Sequence, residues 1–424
     1  MQNERRTDTS TVLEFLAIVS VLSIPLENAL LVGGAGSVAK LSGLAMIALF
    51  GFRMAQSGRF RSRRPFGMLL ICQVCWSMTS LGWTSDYNSG LTRVTLLVQV
   101  SLFGLVLSQV ANDDLIRARL RRAFGLGATA AALLVVQNWN RGVGAYGLIE
   151  EYDPTIYTKN TVGQVARYSV GGEDPNHMGA ILVMGALLLA FDAYANRRFR
   201  IVAFPAIGLC LFASLLTGSR GSSVLAPAAV VAYLFFNRSG SLFRRAVWAA
   251  LVTPVLFGIG WQLLPGPTRL RLSTSFDSKQ STSNLREEIW IAGINAWKSR
   301  PIWGTGTGSY QTEVRAALSR PLVAHNSSVS QLVELGLIGF FLWASVLGVL
   351  WFRSGNLSLL DRLRSRSMLL LWFVSTTFAG LEYKKLTFFV LAILAAQVSD
   401  PGPAKFAAGI LPQRKFRLHV PNTQ

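Results

Sequence analysis

The 424-residue chain has only three cysteines, three histidines and 21 acidic residues, set against 41 Lys and Arg. Each shortage excludes a class of chemistry. Cys72 and Cys75 form a Cys-x-x-Cys, but they lie one helical turn apart within an apolar run, with no preceding strand to build a redox site. Cys210 stands alone, and no Cys and His fall at the spacing of a zinc site. The glycines of Trp303-Gly304-Thr305-Gly306-Thr307-Gly308-Ser309-Tyr310 lack the Gly-Lys-Ser/Thr of a phosphate loop. They also follow a helix and Pro301 rather than a strand, so neither nucleotide fingerprint applies and the run predicts a tight turn. No Asp-x-Asp pair occurs in the long polar loops. Asp153, Glu173 and Asp174 are the nearest carboxylates, and their spacing predicts neither a metal site nor any other cofactor.

What the chain has in quantity is apolar residues: 51% are hydrophobic and only 15% are charged. Apolar runs fall at about 12–32, 38–54, 66–83, 91–110, 123–137, 178–195, 201–217, 222–236, 246–264, 327–352, 367–383 and 385–398, with lengths suited to crossing a bilayer. The expected fold is an all-α, polytopic membrane helix bundle of about twelve transmembrane helices spanning 12–398, with contacts to membrane lipids. The polar segment 1–11 shows no small-residue cleavage site before the first run, so no cleaved signal peptide is expected.

The net charge of +20 would suggest a nucleic-acid binder in a soluble chain. Here the basic residues concentrate in short connections at 53–64, 117–122, 197–200, 238–245 and 353–366. Placing these stretches and both termini, 1–11 and 399–424, in the cytoplasm gathers most of the Lys and Arg inside. The short outer turns near 33–37 and 84–90 then carry none, as the positive-inside rule requires, and no nucleic-acid partner is expected.

Two segments on the opposite face, 138–177 and 265–325, are too long to be simple turns. In the second, Ser283-Asn284-Leu285-Arg286-Glu287 reads as a helix start with Asn284 as its cap. Ile289, Trp290, Ile294 and Trp297 then recur at helical spacing up to Pro301. This single apolar stripe predicts a helix lying on the membrane surface or packed over the bundle.

The polar residues that stand out share that outer face. Arg220, in Thr217-Gly218-Ser219-Arg220-Gly221, separates two apolar runs. Arg286 opens the loop helix, and Asp174-Pro175-Asn176-His177 ends the first long loop. Taken singly, an interfacial Arg is explained by snorkelling and a loop Arg by a surface ion pair. His325 precedes Ser328-Val329-Ser330-Gln331, which fits a capping box, so it lies at the positive end of a helix dipole. That end disfavours imidazolium, and a neutral imidazole beside a bound anion is suited to general base work.

Together these motifs resemble the O-antigen ligase and polysaccharide polymerase family of bacterial inner-membrane proteins. The resemblance rests on Thr217 to Gly221, on Arg286 with Trp290 and Ala296-Trp297, on Pro301-Ile302-Trp303-Gly304-Thr305-Gly306, and on His325-Asn326 followed by Glu334-Leu335-Gly336-Leu337-Ile338-Gly339. Asp174-Pro175-Asn176 is similar to a motif of the exopolysaccharide polymerases. The match covers roughly residues 170–350.

The resemblance implies a GT-C-like glycosyltransferase that takes glycan from undecaprenyl diphosphate at the periplasmic face and passes it to a hydroxyl acceptor, lipid A core or another glycan. It implies Arg220 and Arg286 on the donor diphosphate and His325 at the acceptor hydroxyl, with Asn326, Asn176 and His177 as further substrate contacts. Single-step transfer predicts an inverting, metal-independent enzyme. The competing class is a flippase-like transporter of polysaccharide or lipid-linked oligosaccharide. Such carriers use midplane ionisable residues or paired broken helices, whereas Glu14, Glu27, Arg93 and Asp192 all lie near span ends and no paired interrupted spans are evident.

Overall fold

The computed structural model describes residues 8–57, 65–144, 167–236, 242–273 and 282–399. Asp153, most of the basic stretch 53–64, part of 238–245, and the terminal segments before residue 8 and after residue 399 lie outside the described residues. The described helices are α1 (Asp8–Ser23), α2 (Val38–Ser57), α3 (Phe66–Thr79), α4 (Tyr87–Val110), α5 (Asp114–Asn140), α6 (Pro175–Ala195), α7 (Arg200–Leu216), α8 (Arg220–Phe236), α9 (Leu242–Leu263), α10 (Gly266–Ser273), α11 (Thr282–Lys298), α12 (Tyr310–Leu318), α13 (Ser327–Arg353), α14 (Leu359–Thr376) and α15 (Lys385–Ser399). No strand is present among the described residues beyond an isolated bridge between Leu31 and Ser37.

Each predicted apolar run coincides with a helix. Four of these helices are long and apolar enough to cross a membrane on length and composition, over Val38–Gln56, Tyr87–Val110, Pro175–Tyr194 and Ser327–Asn356. The described residues are all-α, with an architecture that suits a membrane protein. Its buried centre is formed by α6 and α15, which are apolar around their whole circumference. Phe124 of α5 stacks on Phe389 of α15 with ring centroids 4.7 Å apart. Close approach there depends on small residues, as is usual where lipid supplies no hydrophobic drive between helices. At Gly127 of α5, a Cβ would lie 2.0 Å from the Leu22 carbonyl oxygen of α1.

Two run boundaries differ from expectation, and both differences enlarge the same end of the bundle, opposite the basic connections. The run 12–32 leaves the α-helix at Ser23 for a 3-10 turn, Ile24–Leu26, because Pro25 cannot donate to an α-helical ladder. The run 367–383 ends at Thr376, where Ser375, Thr376 and Thr377 bond back to carbonyls of the preceding turn. Such back-bonding competes with helix continuation. Phe378 to Lys384 therefore form a turn between two helices, not the end of a helix.

The ends of the bundle differ in charge chemistry. At the basic end, Arg119 pairs with Glu14, while Arg121 and Arg122 reach Asp192 at 3.3 and 3.2 Å. The opposite end brings together the connections that the charge pattern assigned to the outer face. There Asn28 bonds Glu173 (2.8 Å), Lys384 bonds Glu173 (2.9 Å), and Lys385 pairs with Glu27.

The loop between α9 and α13 packs over the bundle. Ile289, Ala292, Tyr310, Val314, Ala324 and Val333 form a second apolar core, with Trp290 and Trp297 against it. The Trp290 indole donates to the Ala324 carbonyl (2.8 Å) and the Tyr310 hydroxyl to the Ile289 carbonyl (3.1 Å). The helix begins at Thr282, so Asn284 is an interior residue and not its cap.

Candidate functional site

The site is assembled where helices α6, α8 and α13 begin. Asp174 caps α6 by accepting from the Asn176 backbone N–H at 2.6 Å. The Thr217-Gly218-Ser219-Arg220-Gly221 segment makes a compact turn from α7 into α8. Gly218 takes φ +58°, a left-handed conformation that suits glycine, and the Ser219 hydroxyl accepts from the Ser222 N–H at 3.4 Å. At Gly221 a Cβ would press to 2.7 Å from the Phe378 ring. The motif thus places Arg220 as the first residue of α8, at the positive end of that helix.

The third helix corrects an expectation. Asn326, not Ser328, caps α13, its side-chain oxygen accepting from the N–H groups of Ser328 (3.0 Å) and Val329 (3.2 Å). An Asn cap turns the chain as well as a Ser cap does, and His325 still directly precedes the positive helix end. His325 takes φ +46°, a conformation that costs a non-glycine residue of order 1 kcal/mol and occurs mainly where the surroundings impose it.

Asn176 also has a structural task. Its side-chain oxygen accepts from the Ser219 hydroxyl (3.0 Å) and from Arg167 Nη2 (3.1 Å), tying the start of α6 to the turn before α8. That arrangement introduces a residue that no sequence motif marked. Arg167 lies in the first long loop, where its guanidinium also donates to the Thr217 carbonyl at 3.4 Å. The only signal was an Arg a few residues before Asp174-Pro175-Asn176, in a loop of mixed charges.

Arg167, Arg220 and Arg286 lie within electrostatic range of one another, and Arg286 also feels Asp174. Burial pushes the Arg286 guanidinium pKa down, and the two neighbouring cations push the same way. Arg220 Nε is buried without a hydrogen-bond partner. Three guanidinium groups held close, one of them at the start of α8, form a place where an anion relieves both repulsion and unmet donors.

His325 and Asp174 stand beside this cluster. Burial lowers the His325 pKa below its ordinary 6.5; Asp174 opposes the shift, and Arg286, His177 and Arg167 add to it. The imidazole is therefore neutral at neutral pH. Burial tends to raise Asp174, but His177, Arg167, the Asn176 N–H and His325 outweigh it and hold its carboxyl below the usual range. His177 contacts Glu173 through Nδ1 at 2.9 Å. Burial would raise Glu173 too, yet the His177 hydrogen bond and the Lys384 ammonium bring it down to about 2.

Asp174, His177, His325 and Asn326 also line a cavity of about 580 Å³, together with Arg93, Glu382 and Tyr383. Arg220 and Arg286 do not line it. The predicted residues thus divide between an arginine cluster and a cavity wall, with His325 and Asp174 at the junction.

The glycine-rich turn has a structural role that its spacing did not reveal. Helix α13 is broken at Gly336 (φ +66°, ψ −166°), which frees the carbonyls of the preceding turn. Thr305 N–H donates to Val333 (2.9 Å), Gly306 N–H to Glu334 (2.8 Å), and the Trp76 indole to Leu335 (2.9 Å). In return, the Leu337 N–H donates to the Pro301 carbonyl at 3.0 Å. Pro301 to Gly308 and Glu334 to Gly339 are two halves of one interlock, and it fixes the start of α13 and hence His325.

Comparison with known proteins adds one positive finding. No curated protein matches the sequence. Residues 205–344 match the family described as O-antigen ligase, a stretch that includes Arg220, Arg286, His325 and both halves of the interlock. Over those residues the chain is similar to the O-antigen ligase family, in line with the resemblance that the motifs carry.

Proposed function

We propose that the protein transfers a glycan from a lipid diphosphate, undecaprenyl diphosphate in bacteria, to a hydroxyl acceptor at the periplasmic face of the inner membrane. The observation that carries this reading is the meeting of Arg167, Arg220 and Arg286 beside a neutral His325. The acceptor oxygen attacks the anomeric carbon as the bond to the diphosphate oxygen breaks, and His325 takes the acceptor proton. The arginines meet the charge that grows on the leaving diphosphate, where planar guanidinium groups bind two phosphate oxygens at once. With that charge neutralised by side chains, transfer needs no divalent metal, and direct displacement inverts the anomeric centre. Both termini lie in the cytoplasm in this reading, as the basic connections direct.

A carrier would also contain a broken helix, and α13 is one. In a carrier, however, the freed carbonyls would hold a substrate or ion. Here Thr305, Gly306 and Trp76 satisfy them, which favours the enzyme.

Deleting the gene and analysing the lipid-linked glycans tests the proposal. Accumulated long chains identify a ligase whose acceptor is lipid A core, and accumulated single repeats identify a polymerase. An unchanged pool sinks both.

A further inference from the structure

The basic end of the bundle gathers more cations than its carboxylates answer. At the end of α6, Asp192 is 2% exposed and binds both Arg121 and Arg122 of α5, at 3.3 and 3.2 Å. Around it, Arg200 of α7 donates to the Ala193 and Tyr194 carbonyls (2.8 and 3.4 Å), and Arg364 of α14 donates to the Phe191 carbonyl (3.3 Å). Cations suit the negative end of a helix dipole, which accounts for part of this charge. Donors are nevertheless left over, since Nε of Arg121 and of Arg364 is buried without a hydrogen-bond partner. Arg121 and Arg364 lie within electrostatic range of each other, and the exposed Arg197 and Arg198 follow α6 directly. Asp361 adds a second carboxylate within range of Arg364, but the four guanidinium groups about the end of α6 still outnumber it and Asp192. An anion placed among them relieves the excess.

The surface beside these arginines is apolar. Helices α5 and α7 are tied together there: the Arg122 guanidinium lies over the Phe199 ring at 5.4 Å, and farther along Thr129 meets Cys210 at 3.8 Å. On α5, Leu126 follows Arg122 by one turn and Leu133 follows two turns later, 45% and 57% exposed. On α7, Phe204 follows Arg200 by one turn and is 48% exposed. Residues four apart share a helix face, so each helix presents a guanidinium at the head of an exposed apolar stripe. That pairing fits an amphiphile with an anionic head; a free inorganic anion would make no use of the stripes.

We propose that the seam between α5 and α7 binds an anionic phospholipid of the leaflet at the basic end, its phosphate among Arg121, Arg122 and Arg200 and its acyl chains along Leu126 and Phe204. Basic pockets between membrane helices bind such headgroups. The lipid site rests on the reading that the bundle crosses a bilayer. It lies at the opposite end from His325, so failure of the transfer reaction leaves it standing.

The test reconstitutes the full chain in nanodiscs of phosphatidylcholine and phosphatidylglycerol in equal parts, and reads the ratio of the two lipids retained after transfer to a neutral detergent. Wild type is expected to enrich phosphatidylglycerol. Arg122→Gln leaves Asp192 paired with Arg121, and Arg200→Gln leaves it paired with both. Each is expected to lower the enrichment about fivefold, the worth of one Arg near an anionic headgroup. Arg315→Gln, an exposed change of the same charge in the loop over the other end, is expected to leave it unchanged. Asp192→Asn removes the competing carboxylate and is expected to raise it, a gain that an unstable protein does not produce. Unchanged enrichment in both Arg122→Gln and Asp192→Asn overturns the site, as does an equal loss in Arg315→Gln. Inorganic phosphate in excess distinguishes the whole lipid from its headgroup chemistry: retention that persists supports the seam, and displacement by phosphate alone overturns it.

Discussion

Arg93 of α4 and Glu334 of α13 form an ion pair at 2.6 Å, with the Glu334 side chain 1% exposed. Glu334 also accepts from the N–H groups of Gly308 (3.1 Å) and Tyr310 (3.3 Å), while Arg93 lies over the Tyr383 ring at 5.6 Å. One carboxylate therefore joins α4, the glycine turn, α12 and the broken helix that carries His325.

Removing one partner of such a pair leaves the other charge buried and uncompensated, which typically costs about 3–5 kcal/mol. Glu334→Ala is expected to reduce folded protein in the membrane and to lower its melting temperature in detergent. Glu334→Gln keeps an acceptor for the glycine turn and should be milder. A Glu334→Ala protein that melts like wild type would show that the interlock is held by other contacts.

Gly336 gives an independent check on the same joint. Its φ of +66° is one that an L side chain rarely adopts, and a Cβ would lie 2.3 Å from the Ile302 carbonyl oxygen. Gly336→Ala should therefore destabilise by more than about 1 kcal/mol, opposite in sign to the gain from Gly→Ala at an ordinary helix position. The change should also reduce transfer, because the start of α13 shifts with it. At Gly348, later in the same helix, a Cβ would meet only the edge of the Phe352 ring, 4.0 Å away, and Gly348→Ala should leave activity unchanged and stability equal or slightly higher.

The helices and the candidate residues are legible in the sequence because both depend on local signals. Apolar runs mark helices, and the distribution of Lys and Arg separates the two faces. Arg220, Arg286 and His325 are legible because their neighbours form ordered motifs. Arg167 is not legible in the sequence, since it acquires meaning only through partners distant in sequence, Asn176 and Thr217. The family resemblance implies Asn326 and Asn176 as substrate contacts, whereas their side-chain oxygens are occupied in capping α13 and in joining α6 to the turn before α8. A spacing pattern marks such residues as special without telling whether they hold ligand or backbone.

The arginine cluster predicts a graded loss. Arg220→Lys and Arg286→Lys keep the charge but lose the planar fork, and each should lower transfer roughly 100-fold at unchanged protein level, the scale of removing one electrostatic contact to a developing charge. Arg167→Ala removes a cation and also its bonds to Asn176 and Thr217, so it should lower both transfer and stability. Full activity of Arg220→Lys in a transfer assay would reduce that residue to an interfacial anchor.

The pH dependence tests His325 directly. A general base works in its neutral form, and the folded-state pKa of His325 is lowered below 6.5 by burial and by Arg286, His177 and Arg167, against the opposing pull of Asp174. Transfer should therefore be flat through neutral pH and fall only on the acid side, as His325 is protonated below its ordinary pKa. Asp174→Asn keeps a good cap for α6 but removes the one neighbour that favours the imidazolium. The His325 pKa then falls further, and the acid limb should move to lower pH. A limb that moves up, or one that survives in His325→Ala with residual activity, assigns the titration to another group. His325→Ala itself should abolish transfer while donor binding at the arginines persists, because only the proton acceptor is lost.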